Sequence, residues 1–192
     1  FKLGRTETVR PVTDESCAFV RAFEDASTPD EEVWKLLKAA SQRHVNNSKD
    51  CMAGKGTDRH IFALYIVSVG KEIESPFLKR AMSEPWRLST SQQPQNQTDR
   101  WNLRNPEHER RVSPGGGFGP VASDGYGVSY MVAGELRVFF HVSSKHSSKE
   151  TSTTRFYGNI EKALLDMQKR LRHLAKPAKG KGGGAAAGKK DK

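Results

Sequence analysis

Two hydrophobic periods follow each other along this chain, and together they limit the folds it can adopt. Near the N-terminus apolar residues recur at the spacing of a helix, as at Phe19, Val20 and Phe23. Further on, every second residue is apolar, which is typical of a half-buried strand; this set is Leu136, Val138, Phe140 and Val142. Helices and strands in one chain predict an α/β protein with a mixed sheet flanked by helices.

Cap and turn residues set the expected boundaries of these elements. Thr28 begins a capping-box pattern, Gly54 interrupts a helical pattern, and Ser75-Pro76 opens a further short helix. The predicted helices cover residues 14–26, 29–45, 57–67, 76–82 and 153–174, and the predicted strands cover residues 4–10, 86–91, 127–132 and 136–143.

The composition changes after Lys176, where only a tail rich in Lys, Gly and Ala follows. Such a tail cannot bury apolar surface, so we predict one folded portion over residues 1–174 and a disordered tail over residues 175–192. The formal net charge is +10, and the tail contributes half of it with six lysines and one aspartate. A mildly basic body suits a polyphosphorylated ligand such as coenzyme A as well as it suits nucleic acid.

The cysteines and the hydropathy pattern limit other classes of function. Cys17 and Cys51 form no CxxC pattern and have no His at zinc spacing, so reduced thiols and no metal site are expected. No apolar run approaches the roughly 18–20 residues of a transmembrane helix. The chain begins at Phe1, without Met or a signal peptide, which suggests an excised fragment.

Three hydroxyl residues, Ser89, Thr90 and Ser91, end the strand that precedes a long loop rich in Gln, Asn, Pro and Gly. A hydroxyl aimed at a developing oxyanion can lower a reaction barrier by about 2–4 kcal/mol. The alternative is an ordinary strand exit whose hydroxyls bond their own backbone.

Arg59 is predicted at the start of a helix, where the helix dipole disfavours a cation. A residue that is locally unfavourable is a weak indication of a functional role. The role that suits an arginine is the binding of a carboxylate, which its guanidinium holds in a fixed bidentate geometry. The alternative is a surface Arg bonded to Asp58 or to solvent.

Several motifs in this order resemble the C-terminal half of the choline/carnitine acyltransferases, and within them the long-chain, carnitine palmitoyltransferase type I branch. The resemblance covers roughly residues 1–172. The motifs are Gly4-Arg-Thr-Glu-Thr-Val-Arg10, Asp58-Arg-His60, Ser83-Glu-Pro-Trp-Arg-Leu-Ser-Thr-Ser-Gln92, Gly115-Gly-Gly-Phe-Gly-Pro120 and Asp124-Gly-Tyr-Gly-Val-Ser-Tyr130.

This resemblance implies a carnitine-binding role for Thr6, Thr8 and Arg59, which would bind the carnitine carboxylate or line its pocket. Without the resemblance, the two threonines would be ordinary strand-forming residues. Choline acetyltransferases have a substrate without a carboxylate, so the presence of this set favours carnitine.

The same resemblance assigns the acyl-transfer side of the site. Ser91 would stabilise the tetrahedral oxyanion, and Gln92 would contact coenzyme A. Gly115, Gly116 and Gly117 would form part of an acyl-chain tunnel, although a mobile glycine loop is the alternative. No cofactor is implied, because the coenzyme A thioester is itself a substrate.

Half of the chemistry is expected outside this chain. The family uses a general-base His in a His-x-x-x-Asp motif, and none of the six histidines here has an Asp three or four positions later. We therefore expect the C-terminal part of a two-domain fold resembling chloramphenicol acetyltransferase, inactive by itself.

The resemblance predicts carnitine and long-chain acyl-CoA as substrates in fatty acid transport for mitochondrial β-oxidation. It places the parent protein in the mitochondrial outer membrane, held there by regions absent from this chain, with no nucleic acid partner. Two alternatives stay open: a catalytically silent relative that binds acyl-CoA or malonyl-CoA, and a basic nucleic-acid-binding module.

Overall fold

The fold is described from a computed structural model that covers residues 7–93, 116–133 and 137–175. In chain order it contains helix α1 (Asp14–Glu24), helix α2 (Asp30–Met52), helix α3 (Thr57–Gly70), helix α4 (Pro76–Ser83), strand β1 (Leu88–Gln92), strand β2 (Tyr126–Ala133), strand β3 (Arg137–Ser143) and helix α5 (Thr153–Leu171), which a 3₁₀ turn follows (Arg172–Leu174). This content confirms a mixed α/β chain. The predicted disorder of the tail concerns residues that lie almost wholly outside the described part.

Side-chain caps mark the starts of helices α1 and α4. Thr13 and Ser16 form a reciprocal capping box at the start of α1, in which each side chain accepts the backbone N–H of the other. The Ser75 hydroxyl accepts the N–H of Leu78 at 3.3 Å, and Pro76 occupies the first turn of α4.

Helix α2 extends seven residues beyond its predicted end and stops at Met52 instead of near Val45. The signal that ends it is Gly54, which has a positive φ of 76°. The N–H groups of Gly54 and Lys55 bond back to the carbonyls of Cys51 and Asp50, as in a Schellman motif. No residue between Val45 and Gly54 has a comparable power to end a helix.

The predicted strand over residues 4–10 is wrong where it can be compared, since residues 7–10 form no regular structure. A strand requires a neighbour for its backbone hydrogen bonds. Here the N–H of Thr8 bonds the side chain of Glu7 at 2.9 Å, and the carbonyl of Thr8 accepts the thiol of Cys51.

The three strands form one sheet in the order β1-β2-β3, with β1 parallel and β3 antiparallel to β2. Glycine and small residues on one face of β2 let the backbone of residues 116–119 approach closely. On that face Met131 and Ala133 are buried against Phe139. On the other face Tyr126 stacks on Phe156 of α5, with 4.4 Å between the ring centroids.

The chain divides into two compact units. One contains the described parts of Phe1–Arg10 and Asn46–Leu165, and therefore holds the whole sheet. The other contains Pro11–Val45 and the described residues after Asp166, with Val33 and Leu171 buried.

Candidate functional site

The first turn of α3 carries Arg59, and a carboxylate from another segment completes its cap. The N-cap residue Gly56 has no side chain to accept the exposed N–H groups. Both carboxylate oxygens of Glu7 lie 3.2 Å from the backbone nitrogen of Arg59. A negative charge there offsets the unfavourable position of the Arg59 cation at the positive end of the helix.

The contact with Glu7 also explains the glycine at the N-cap. A Cβ at Gly56 would lie 2.1 Å from Cγ of Glu7, so any other residue would displace this side chain. Glu7 therefore holds its own segment, which includes Thr8, against the start of α3. Thr6 lies outside the described residues.

Thr8 is half-buried beside Cys51. Its carbonyl accepts the Cys51 thiol with 3.7 Å between sulfur and oxygen. Burial raises the pKa of the Cys51 thiol, and the nearby charges of Glu7, Asp50 and Asp58 raise it further. The thiol is therefore kept protonated, as a weak donor to the backbone of the Thr8 segment.

Asp58, the residue before Arg59, forms an ion pair with Arg10. The Nε of Arg10 lies 3.2 Å and 2.9 Å from the two Asp58 carboxylate oxygens, and Nη2 of Arg10 makes a further short bond. The flat face of the guanidinium stacks over Trp86, with 4.3 Å from Cζ of Arg10 to the ring centroid. The hydrogen bond with Asp58 raises the pKa of Arg10.

Residues 116–119, here called the glycine segment, cross one face of the sheet. Ser91 lies on that face. It pairs in register with Ser129 of β2, so the two side chains share a face. The Ser129 hydroxyl bonds the carbonyl of Gly116 on that face. Gln92 is the next residue of β1, and its side chain therefore projects from the opposite face.

The glycine segment packs closely on the sheet at one of its two described positions. A Cβ at Gly117 would lie 3.3 Å from Cβ of His141, whereas among the described residues a Cβ at Gly116 would meet the side chain of Gln93 alone, at 3.7 Å. Ser143 supports the next residue by donating to the carbonyl of Phe118 at 2.5 Å. Gly115 lies outside the described residues.

The start of β1 is bound to the start of β2 through Arg87 and Asp124. Nε of Arg87 lies 2.7 Å from the Asp124 carboxylate, and the carbonyl of Arg87 accepts the N–H of Tyr126 at 2.7 Å. The hydrogen bond from Arg87 holds the pKa of Asp124 below its usual value. These bonds fix the register that places Ser91 opposite Ser129.

The predicted site residues thus form two groups. Thr8 and Arg59 meet through Glu7, and Ser91 shares a sheet face with Gly116 and Gly117. Sequence reasoning assigned no role to Glu7, Arg10 or Trp86, which make the connecting contacts. Their presence inside the same motifs was the only available signal, because residue type alone does not reveal contacts between distant segments.

The second unit has a cavity of its own, which contains none of the predicted site residues. This open cavity of about 510 Å³ is lined by Phe23, Asp30, Asp166, Lys169, Arg170 and His173. Arg170 is held by Asp30 at 2.8 Å and by the carbonyls of Phe23 and Thr28.

Residues 7–93, 116–133 and 137–175 contain no group of three or more His, Cys, Asp or Glu side chains that could hold a metal ion. Over the same ranges, none of the helices is both long enough and apolar enough to span a bilayer.

Comparison with known proteins agrees with these motifs. The chain is 53% identical over 168 residues to human carnitine O-palmitoyltransferase 1, liver isoform, and 52% identical to the human muscle isoform. Each alignment covers 87% of this chain and 21% of the relative, so the chain spans about a fifth of their length. It is 33% identical to rat carnitine O-acetyltransferase over 90% of this chain and 26% of that protein.

The family model described as choline/carnitine O-acyltransferase matches residues 1–162, which include every motif discussed above. With most of its length matched, the chain belongs to the choline/carnitine acyltransferase family.

Proposed function

We propose that this chain is the C-terminal portion of a carnitine O-acyltransferase that moves a long-chain acyl group between coenzyme A and the carnitine hydroxyl. The observation that carries the proposal is the bond from the Arg59 N–H to Glu7, which brings the Thr8 segment to the start of α3. Two residues expected at the carnitine carboxylate are therefore neighbours, although 51 positions separate them in the sequence.

In this proposal the carboxylate of carnitine binds the guanidinium of Arg59 and the hydroxyls of Thr6 and Thr8. Arg59 is exposed, so its guanidinium is accessible to a ligand. A charge-assisted hydrogen bond of this kind contributes about 1.5–3 kcal/mol. Carnitine would thereby be fixed by its carboxylate, with its hydroxyl directed to the acyl thioester.

The carnitine hydroxyl would attack the thioester carbonyl directly, and the coenzyme A thiolate would leave. Ser91 would donate its hydroxyl hydrogen to the oxyanion, while Gln92, at the end of β1, would contact coenzyme A. A His elsewhere in the parent protein would accept the proton of the carnitine hydroxyl. This chain by itself should then bind substrates poorly and show no turnover.

The fold proposal follows from the same family. The small mixed sheet with its helices would be part of the C-terminal domain of a two-domain fold resembling chloramphenicol acetyltransferase. The parent protein would act in fatty acid transport at the mitochondrial outer membrane, and would contact that membrane through segments other than this one.

The direct test measures palmitoyl transfer from palmitoyl-CoA to carnitine by the full-length protein and its Arg59→Ala variant. Loss of one charged hydrogen bond predicts a rise of about 10- to 150-fold in KM for carnitine, with KM for palmitoyl-CoA little changed. Arg80→Ala is the matched control, since Arg80 is an exposed helical arginine whose ion pair with Glu84 is long, at 3.8 Å. An Arg59→Ala enzyme with normal carnitine kinetics would refute the assignment.

The acyl tunnel has a separate test in Gly117→Glu, assayed with octanoyl-CoA and palmitoyl-CoA. If Gly117 lines the tunnel, activity with the longer chain falls first. Full palmitoyl activity contradicts the tunnel. An equal loss with both substrates instead assigns the glycine to packing against His141, where a Cβ would already be tight at 3.3 Å.

The alternative is a catalytically silent relative that holds acyl-CoA or malonyl-CoA. It is favoured if the full-length protein binds acyl-CoA but shows no carnitine-dependent release of coenzyme A. The mildly basic body also leaves a nucleic-acid-binding module to exclude. That module would bind nucleic acid with a steep dependence on salt, unchanged by Arg59→Ala.

A further inference from the structure

One side chain, that of Arg10, connects three segments that are distant in sequence. It follows Thr8 by two positions, its carboxylate partner Asp58 directly precedes Arg59, and its aromatic partner Trp86 lies just before β1. All three segments belong to the same compact unit.

The geometry of the contacts requires arginine rather than any cation. The guanidinium uses Nε and Nη2 together on one carboxylate, and it stacks over an indole ring. A lysine ammonium can pair with Asp58 as a point charge, but it cannot keep the bidentate bond and the stacking at once. Arg10→Lys therefore removes the geometry and retains the charge.

Arg10 is poorly placed to stabilise the fold as a whole. Its side chain is 61% exposed, and Trp86 is 41% exposed. The Asp58 side chain is 21% exposed, and Arg10→Lys keeps a cation beside it, so the variant changes the ion pair's contribution to stability, typically about 0–1 kcal/mol near the surface, only in part. The bond between Glu7 and Arg59 connects only the first two segments, whereas Arg10 also reaches the segment that leads to Ser91.

We propose that Arg10 is a positioning residue, which aligns the carboxylate-binding residues Thr8 and Arg59 with the oxyanion-stabilising Ser91 by bridging Asp58 and Trp86. This inference rests on the proposed function and adds to it the group that sets the distance between the two halves of the site. A displacement of about 1 Å between reacting groups can cost about 100-fold in rate.

The experiment uses the full-length protein and steady-state kinetics with palmitoyl-CoA and carnitine. The variants are Arg10→Lys, Trp86→Leu and the double variant, and Arg80→Gln serves as the control. We expect kcat/KM for carnitine to fall about 10- to 100-fold in Arg10→Lys. The melting temperature and KM for palmitoyl-CoA should stay unchanged.

A second readout separates positioning from a simple ion pair. If Arg10 acts by bridging, Trp86→Leu alone lowers kcat/KM for carnitine. Arg10→Lys should then lower kcat/KM by a smaller factor in the Trp86→Leu background than in the wild type. An ion pair with Asp58 alone would be rescued by lysine.

The possible outcomes separate a failure of the proposed function from a failure of the role inferred for Arg10. A wild-type protein without carnitine-dependent turnover overturns the proposed function, and the inference with it. An active wild type whose Arg10→Lys variant keeps carnitine kinetics within twofold overturns the inference alone. So does a loss that affects both substrates equally and follows a lower melting temperature.

Discussion

Gly127 of β2 has no room for a side chain, and Gly127→Ala should loosen the sheet that carries Ser91. A Cβ at this position would lie 2.7 Å from Oγ of Ser143 and 2.8 Å and 2.9 Å from the carbonyl oxygens of Phe118 and Gly119. Two of these three atoms belong to the backbone, so a change of rotamer cannot relieve the contact. Either the glycine segment (residues 116–119) or β2 must therefore move.

The expected cost follows from the type of contact. Overpacking at a buried position typically costs about 1–3 kcal/mol. Displacement of the Ser143 hydroxyl also endangers its bonds to the carbonyls of Phe118 and Gly127, each with a net contribution of about 0.5–1.5 kcal/mol. The lower entropy of an alanine in the unfolded chain returns about 0.4–1 kcal/mol. A net loss of about 1–5 kcal/mol remains, the larger values applying if both bonds of Ser143 are lost.

Hydrogen exchange measured by mass spectrometry on the full-length protein reports this local loss. A cost of about 1–5 kcal/mol corresponds to roughly 5- to 5,000-fold faster exchange in peptides from β2 and β3. The matched control is Gly119→Ala, because a Cβ at Gly119 would meet no atom within 4 Å among the described residues. Equal protection in the two variants would refute the close approach of the glycine segment.

Three further predictions concern charges and a thiol. Because its bond with Arg87 lowers the pKa of Asp124, the stabilising effect is present above the ordinary value of 3.8 and is lost as the pH falls through the lower folded value. Asp124→Asn should therefore reduce the melting temperature at pH 7, and the gap should shrink below pH 3.8; a gap independent of pH would contradict this. Arg170→Met removes three hydrogen bonds and should destabilise the second unit by about 2–4 kcal/mol, seen as faster hydrogen exchange in α1. Unchanged exchange would show that these bonds are dispensable. Burial raises the pKa of Cys51, and the thiolate is the reactive form, so iodoacetamide at pH 8 should label it more slowly than the less buried Cys17. Equal labelling rates, read from peptide masses, would count against the burial of Cys51.

The helices and the sheet could be predicted because their signals are local. The Ser75-Pro76 signal at the start of α4 consists of two adjacent residues, and the alternation of β3 is visible in the sequence itself. The C-terminal end of α2 was predicted too early, because the residues after Val45 are polar and lack the apolar pattern of the helix. The helix nevertheless continues until Gly54, whose positive φ ends it. The prediction for residues 7–10 failed because a strand pattern does not guarantee a strand partner.

The site residues could be proposed only through the family motifs, and their arrangement could not be predicted at all. A bond between Arg59 and Asp58 was only the alternative to a functional role for Arg59, and Asp58 binds Arg10 from a segment 48 positions away. Similarly, the cap of α3 comes from Glu7 and not from its own N-cap residue Gly56. Such contacts depend on the tertiary packing of segments that are distant in sequence, and local sequence patterns do not encode that packing.

The serines on the glycine-crossed face of the sheet have different chemical roles. Ser129 is fully buried and donates to the carbonyl of Gly116, and Ser143 donates to that of Phe118. Both hydroxyls satisfy backbone groups of the glycine segment, so they are occupied with structure. Ser91 is half-buried, and within the described residues its hydroxyl makes no hydrogen bond. The oxyanion role proposed for Ser91 stays a prediction, and it requires a hydroxyl that does not already donate to a backbone carbonyl.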